Sequence, residues 1–421
     1  MPTLTPSNTT GLRKEDQTPV PSPGRRLDSA ALVIIATSIA LVGVGLALRS
    51  AAYQQALTLK IQAMVSVDDQ IWIGLPDELI QINKDNKTLQ RVPYAQMQLT
   101  SPITYAVKTR NNYWLQLFSG QIWRCDTTSQ PCHQVTALGD GEDHYYSIAV
   151  LPQKNQIVAV NNYSAQITTL DADSGQIIAT KIPYRVPKQR SNDLSALAPP
   201  LSMKSLDGWR DGQLYRPNRL HVYDNMLVQT DTGNYRVVAW PLDVDGMPLW
   251  QSPINLIRHT ANQTYDVALI SRNNPLDNRW LVLEGGVGAV QKELHTRNVL
   301  GLAKLISYPA QSDSAATRTP IDLDLPDPYL LTNLDAHSVL IADPSLGKIQ
   351  HVDFSPYSDM PPSIMDYDIP GLQEPLQTLK HSNDRYKLYA KLAFLFFFAP
   401  LIGIFVLYRR GYDLNQKLGR S

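Results

Sequence analysis

The sequence predicts an all-β domain, a six-bladed β-propeller, flanked by N- and C-terminal transmembrane helices. Three observations predict it. Two uncharged apolar spans lie near the two ends of the 421-residue chain. Between them a short apolar run bounded by polar turns recurs six times. The same middle region shows almost no helical period, and 30 prolines are spread through the chain. Proline breaks the helical hydrogen-bond ladder, so long helices are not expected there.

The elements follow in order. Residues 1–29 are rich in Pro, Ser and Thr and poor in large apolar side chains, so they cannot bury a core and read as a disordered cytoplasmic tail. Residues 30–48 hold 19 uncharged residues, roughly 28 Å of helix against a hydrocarbon core of about 30 Å. A signal peptide would have a shorter apolar stretch, about 7–15 residues, after a short basic leader. The second span, 391–408, is shorter, but Lys391 can snorkel and Tyr389 and Tyr408 suit the interface. Ala36, Ala40, Gly43 and Ala47 form a small-residue stripe on the first helix, matched by Ala399 and Gly403 on the second, and such stripes allow close helix packing. Pro400 marks a kink. Between propeller and second span, residues 355–390 read as a Pro-rich linker and a juxtamembrane helix, with Leu372, Leu376 and Leu379 lying on the membrane surface.

Arg13, Lys14, Arg25 and Arg26 precede the first span, and Arg409, Arg410, Lys417 and Arg420 follow the second, in the tail 409–421. The positive-inside rule then places both termini in the cytoplasm. Two crossings put the middle domain in the periplasm or outside the cell, anchored in the cytoplasmic (inner) membrane. The segment 49–390 holds 29 basic and 34 acidic residues, net −5. That balance, with no basic stripe, does not describe a nucleic-acid-binding protein.

The propeller is expected over residues 53–354. Its second-strand runs are Gln70 to Gly74, Tyr113 to Phe118, Gln156 to Val160, Met226 to Thr230, Arg279 to Leu283 and Ser338 to Ala342. Their starts are 43, 43, 70, 53 and 59 residues apart, and a period near 40–50 is the mark of four-stranded blades, the longer gaps holding insertions. Third runs follow at Glu78 to Ile82, Gln121 to Trp123, Gln166 to Leu170, Arg236 to Trp240, Ala289 to Leu294 and Lys348 to Val352. Gly285, Gly286 and Gly288 read as a hairpin turn between Leu283 and Val290. The sixth unit offers no clear outer strand after Phe354, so Gln55 to Lys60 is expected to close the ring by joining the last blade.

Residues 216 to 242, RPNRLHVYDNMLVQTDTGNYRVVAWPL, resemble an NHL repeat, whose hallmark is a strand ending in Asp-Thr-Gly-Asn-x-Arg and running into the next strand. Asp231, Thr232, Gly233, Asn234 and Arg236 carry the match. Asp231 is expected to bond the turn, Gly233 to take positive φ and Asn234 to close it. The other five units keep turn chemistry only. The resemblance implies a propeller without implying an activity.

Cys125 and Cys132 flank a turn between two strand-like pieces, and a disulfide there is geometrically natural and chemically allowed outside the cytoplasm. Two free thiols, or a zinc site with His133, are the other readings. The insertion Arg185 to Gln213 brings Arg185, Lys188, Arg190, Trp209 and Arg210 to an acidic domain, and is the expected contact for a protein or envelope partner. Ser307 to Pro326 reads as a flexible insertion. The expected function is a non-catalytic, membrane-anchored binding or envelope-assembly scaffold. The alternative is a metal-dependent propeller hydrolase or lyase, since some NHL propellers that are lyases hold a metal through histidines after a proline. Here Pro217 is followed by Asn218, and His133, His144, His221, His259, His295, His337, His351 and His381 recur at no fixed position. No cofactor motif, phosphate loop or nucleophile elbow is present, and neither is a metal-ligand set.

Overall fold

The computed structural model describes residues 29–85, 87–138, 146–162, 166–181, 214, 217–257, 260, 263–285, 304–310, 318–344, 346–355 and 361–418. The chain divides into a helical unit, residues 1–50 with 391–421, and a β unit, residues 51–390. Helix α1 (Ser29–Thr58) begins the chain's described part.

The β unit consists of six four-stranded antiparallel sheets, each continuous in sequence order. Blade 1 is β1 (Ala63–Val67), β2 (Gln70–Gly74), β3 (Glu78–Asn83) and β4 (Leu89–Pro93). A single helical turn, α2 (Tyr94–Met97), leads to blade 2, which is β5 (Ile103–Lys108), β6 (Tyr113–Leu117), β7 (Ile122–Cys125) and β8 (His133–Gln134). Blade 3 is β9 (Tyr146–Leu151), β10 (Gln156–Asn161), β11 (Ile167–Asp171) and β12 (Ile177–Lys181). Blade 4 is β13 (Pro217–Tyr223), β14 (Met226–Asp231), β15 (Arg236–Pro241) and β16 (Ile254–Ile257). Blade 5 is β17 (Gln263–Ile270), β18 (Arg279–Gly285), β19 (Lys304–Pro309) and β20 (Thr319–Ile321). Blade 6 is β21 (Leu330–Asn333), β22 (Ser338–Asp343), β23 (Lys348–Asp353) and β24 (Ser363–Asp366). Helix α3 (Gln373–Leu418) follows. The first strand of each blade packs on the first strand of the next, and β1 meets β21. This is a closed six-bladed propeller.

The six second strands start where the runs predicted, because each is buried on both faces between neighbouring blades and therefore reads as a continuous apolar stretch. Blade 5 departs from expectation at its third strand. β18 pairs with β19, from Arg279 opposite Pro309 to Glu284 opposite Lys304, and Ala289 to Leu294 lie outside the described residues. Gly285 is the last residue of β18, and a Cβ on it would overlap the Tyr265 ring; Gly286, Gly288 and Val290 of the expected turn lie outside the described residues. The segment expected as a flexible insertion, Ser307 to Pro326, contributes to β19 and supplies all of β20.

Closure also differs from expectation. Gln55 to Thr58 belong to α1, and the outer strand of blade 6 is β24, which pairs with β23 from Gln350 opposite Asp366 to Asp353 opposite Ser363. The propeller thus extends into the region expected as linker. Among the described residues no strand crosses the seam between blades 6 and 1, which is held by apolar packing and by hydrogen bonds, one of them from the Ser66 N–H to Thr332 Oγ1 at 2.9 Å. Ile61, Met64, Ile71 and Ile80 of blade 1 form one buried cluster with Leu340 and Ile349 of blade 6 and with Leu372, Leu376 and Leu379. Those three leucines are buried on the propeller, not spread on a membrane surface. The Ile61 N–H donates to the Pro344 carbonyl at 3.3 Å, and Gly347 (φ 61°) turns beside Leu376, whose carbonyl would lie 2.9 Å from an added Cβ.

Within α1, Ala36–Ala56 is the one helical stretch among the described residues long and apolar enough to cross a membrane, with mean hydropathy 1.4. Its length and composition are those of a membrane anchor or a signal sequence. The expected small-residue stripe is displaced. Gly43 has nothing within 4 Å of a built Cβ, whereas Gly45 faces the Ala393 carbonyl at 3.1 Å and the Phe397 nitrogen at 3.6 Å. Ser38 and Gly45 are buried while Ala36, Ala40, Gly43 and Ala47 are exposed; Ala399 and Gly403 lie outside the residues whose side chains are described.

A cross-axis hydrogen-bond network and an axial cavity

The inner strands carry a polar pattern that their burial does not require. On β13, Arg219, His221 and Tyr223 occur at every second position, so they share one face of the strand. Three inner strands are irregular beside the groups that meet: the register shifts between Ile103 and Tyr105 on β5, between Pro217 and Leu220 on β13, and between Thr264 and Asp266 on β17. Bulges of this kind re-aim side chains.

The result is a network joining blades 2, 4 and 5. His221 Nε2 lies 2.7 Å from Asp266 Oδ1, and His221 Nδ1 lies 3.1 Å from the Tyr105 hydroxyl. Arg219 Nε stands 4.0 Å from Asp266 Oδ2, Arg219 Nη2 donates to the Thr104 carbonyl at 3.3 Å, and the guanidinium lies 4.7 Å from the centre of the Tyr105 ring. Asp266 also accepts the Val267 N–H at 2.8 Å. Burial pushes the Tyr105 phenol well above its ordinary range and the Asp266 charge adds to the effect, with Arg219 opposing it. Tyr223 is pushed up for the same first reason, then by Asp266 and Tyr105.

Along β17 the carbonyls of alternate residues are taken up by side chains of neighbouring blades. Asn218 Nδ2 donates to the Tyr265 carbonyl at 3.0 Å, the Tyr223 hydroxyl to Val267 at 2.9 Å, Asn333 Nδ2 to Leu269 at 2.8 Å, and His337 Nδ1 to Ser271, just past the strand, at 2.6 Å. Beside β1, β5, β9 and β13 there is instead a cavity of about 340 Å³, whose walls include Ser66, Tyr105, Val107, Val150, His221 and Tyr223. Asp68 and Lys108 sit at this end, where inner strands turn into second strands, and form an ion pair. Lys84 Nζ donates to Ser66 Oγ at 2.5 Å and to the Asp68 carbonyl at 2.8 Å; desolvation lowers its pKa, opposed by Asp335 and Asp69.

The sequence-predicted residues fall elsewhere. Asp231, Thr232, Gly233, Asn234 and Arg236 do form one buried turn between β14 and β15. Asp231 Oδ2 accepts from Asn234 Nδ2 and from Arg236 Nε, both at 2.7 Å, and Thr232 Oγ1 donates to the Thr264 carbonyl at 2.6 Å. The positive φ expected at Gly233 falls on Tyr235 instead (φ 56°). Cys125 and Cys132 are joined by a disulfide, closing β7 to the approach of β8. Arg185, Lys188, Arg190, Trp209 and Arg210 lie outside the described residues, as do His144, His259 and His295. Among the described residues, no three His, Cys, Asp or Glu side chains come together to hold a metal ion. His221, passed over because the histidines lack a common position, is the hub of the axial network. Its signal was the alternation Arg219, His221, Tyr223 with apolar residues between.

No protein-family model matches the sequence, and no curated protein does. Solved structures similar to this chain include the Cps50 (Swd1) β-propeller domain of Myceliophteria thermophila, at 8% identity and TM-score 0.44 over 70% of this chain and 84% of that one. The calcium-binding protein regucalcin of Agrobacterium tumefaciens str. C58 aligns at 10% identity and TM-score 0.43, over 67% of this chain and 82% of that one. YCF48 from Cyanidioschyzon merolae aligns at 8% identity and TM-score 0.43, over 73% and 84%. The class is defined by the chain's own six four-stranded sheets: it is a six-bladed β-propeller.

Proposed function

We infer that the chain is a membrane-anchored binding scaffold. It crosses the cytoplasmic (inner) membrane twice, keeps both termini in the cytoplasm and presents the propeller to the periplasm or the cell exterior, where it holds a protein or envelope component without catalysis. The observation that carries this reading is the apolar exterior of the two terminal helices. Ile39, Val44 and Leu48 of α1 and Leu395, Phe396, Ile402 and Phe405 of α3 are exposed at 56–65% of their surface or similar values, and so many bare aliphatic and aromatic side chains are stable in lipid, not in water. The disulfide supports an oxidising side for the propeller. The partner contact is assigned to the insertion Arg185 to Gln213, and blade 4 is read as an NHL-type unit on its Asp231, Asn234 and Arg236 constellation.

Topology is tested by labelling with a membrane-impermeant thiol reagent. In intact cells Asp224→Cys, on a turn of the propeller, should label, and Ser421→Cys should label only after permeabilisation. Labelling of Ser421→Cys in intact cells would leave a single crossing. Replacing Arg185, Lys188, Arg190 and Arg210 with Ser should reduce cross-linking to the partner and flatten its salt dependence; unchanged cross-linking moves the contact off the insertion.

A further inference from the structure

We propose that the axial cavity is a receptor for a small oxyanion, a carboxylate or a phosphate-type group, taken up together with one proton on His221. This site stands apart from the partner contact assigned above.

With His221 neutral, the hydrogen count fixes its tautomer. Asp266 Oδ1 already accepts the Val267 N–H at 2.8 Å, so toward His221 Nε2, 2.7 Å away, the carboxylate acts as acceptor and Nε2 carries the hydrogen. Nδ1 is then a lone pair, and the Tyr105 hydroxyl at 3.1 Å donates into it. The phenol keeps its proton because burial and the Asp266 charge both disfavour the phenolate. In this state the Tyr105 hydrogen is spent on the imidazole. The Arg219 and Asp266 charges, 4.0 Å apart, offset one another, so the network offers the cavity neither a donor nor a net charge.

A proton that reaches His221 has one place to go, Nδ1. Tyr105 Oη must then accept from Nδ1–H, and its own hydrogen turns toward the cavity, which Tyr105 and His221 both line. The wall gains a hydroxyl donor and a single positive charge in one step. Among the described residues the other charged groups near the site are already paired or bonded, Lys84 standing in the field of Asp335, Asp69 and Asp68. Asp68 on the turn after β1 and Lys108 on β5 are paired with each other, Tyr223 on β13 donates to the Val267 carbonyl at 2.9 Å, Lys84 is held by Ser66 and the Asp68 carbonyl, and neither Ser147–Leu151 of β9 nor β21 contributes a titratable side chain. The walls also carry the aliphatic side chains of Val67, Ala106, Val107, Ala149, Val150 and Val222. An oxyanion gains from both changes because it brings negative charge and accepts hydrogen bonds only. A cation gains from neither. The volume, about 340 Å³, lies in the range of small-ligand pockets.

The test is calorimetric titration of the full chain in detergent with sodium sulfate and, separately, sodium acetate, from about pH 6 to about pH 8, in two buffers of different ionisation enthalpy. One proton should be taken up per anion, and Kd should weaken by up to about tenfold per pH unit on the alkaline side. Tighter sulfate identifies a phosphate-type ligand and tighter acetate a carboxylate. His221→Gln should bind weakly with no pH slope, and Tyr105→Phe should bind more weakly while keeping the slope. Absence of binding by either anion at about pH 6, binding without proton uptake, or an unchanged slope in His221→Gln would overturn the proposal. If His221→Gln does not fold, the proton count on the unsubstituted chain decides it.

Discussion

The two halves of the propeller axis are built from the same kind of strand and finish chemically opposite. An inner strand has a free edge, and its backbone groups must find partners in protein, water or ligand. On the side of blades 4 to 6, Asn218, Tyr223, Asn333 and His337 reach across blade boundaries and occupy four alternate carbonyls along and just beyond β17. On the side of blades 1 to 3, Val67, Ala106, Val107, Ala149 and Val150 line a cavity that Leu220, His221, Val222 and Tyr223 of blade 4 complete. The sealed half fixes the relative positions of its blades through side chains. On the cavity side the Ser66 N–H donates to Thr332 Oγ1 at 2.9 Å and the Thr104 carbonyl accepts from Arg219 at 3.3 Å, and the inner strands border a cavity there.

The largest test of the sealed half is Asp231→Ala. Asp231 is fully buried and Arg236 nearly so, and the same turn is tied to β17 through Thr232 and the Thr264 carbonyl. Removing the carboxylate strands a buried guanidinium, so the loss should be about 3–5 kcal/mol in denaturant unfolding of the detergent-solubilised chain. A loss below about 1 kcal/mol would mean that water already satisfies Arg236 and reaches into the sealed half.

A smaller change probes one seal at a time. Asn333→Ala removes the partner of the Leu269 carbonyl, whose residue is buried, and should cost about 1–2 kcal/mol, the penalty of an orphaned acceptor partly relieved by relaxation. Amide exchange should quicken in β17 and β21 and remain unchanged in β1 and β5. Uniform quickening would show that the halves are not mechanically distinct.

How much of this contrast the sequence displays depends on burial. The six second strands are legible because each is covered on both faces and reads as a solid apolar run, as in Ile71, Trp72 and Ile73 or Val339, Leu340 and Ile341. Outer strands carry little such signal. β24 is exposed at all four positions and stands after a proline-rich stretch, so the sequence reads as one strand short and points to Gln55 to Lys60 for closure. The third strand of blade 5 lies far beyond the repeat's usual offset, and a nearer apolar run, Ala289 to Leu294, took its place. The axial network was half-legible: the alternation on β13 is visible in Arg219, His221 and Tyr223, but its partners Tyr105 and Asp266 come from blades 2 and 5, and sequence spacing says nothing about which residues face each other across an axis. Leu372, Leu376 and Leu379 show the converse, since their spacing gives a helical face and leaves open whether lipid or protein covers it.

The finest test compares one substitution in two places. Valine and threonine have nearly the same shape, so Val→Thr asks chiefly whether a hydroxyl finds water. Val282, in the middle of β18, is fully buried in an apolar cluster with Val228, Val237 and Trp280, and Val282→Thr should cost about 1–3 kcal/mol because the new hydroxyl has no solvent to meet. Val107 lines the axial cavity and is only half-buried, so Val107→Thr should change stability by no more than about 0.5 kcal/mol. The two variants are read by the same unfolding titration, and their difference is the quantity of interest. If Val107→Thr costs as much as Val282→Thr, the cavity is dry, the edges of β1, β5 and β9 are not served by water, and the open half differs from the sealed one in shape alone. If it is neutral or stabilising, the cavity is hydrated, and an anion entering it exchanges water for the Tyr105 hydroxyl rather than filling an empty apolar void.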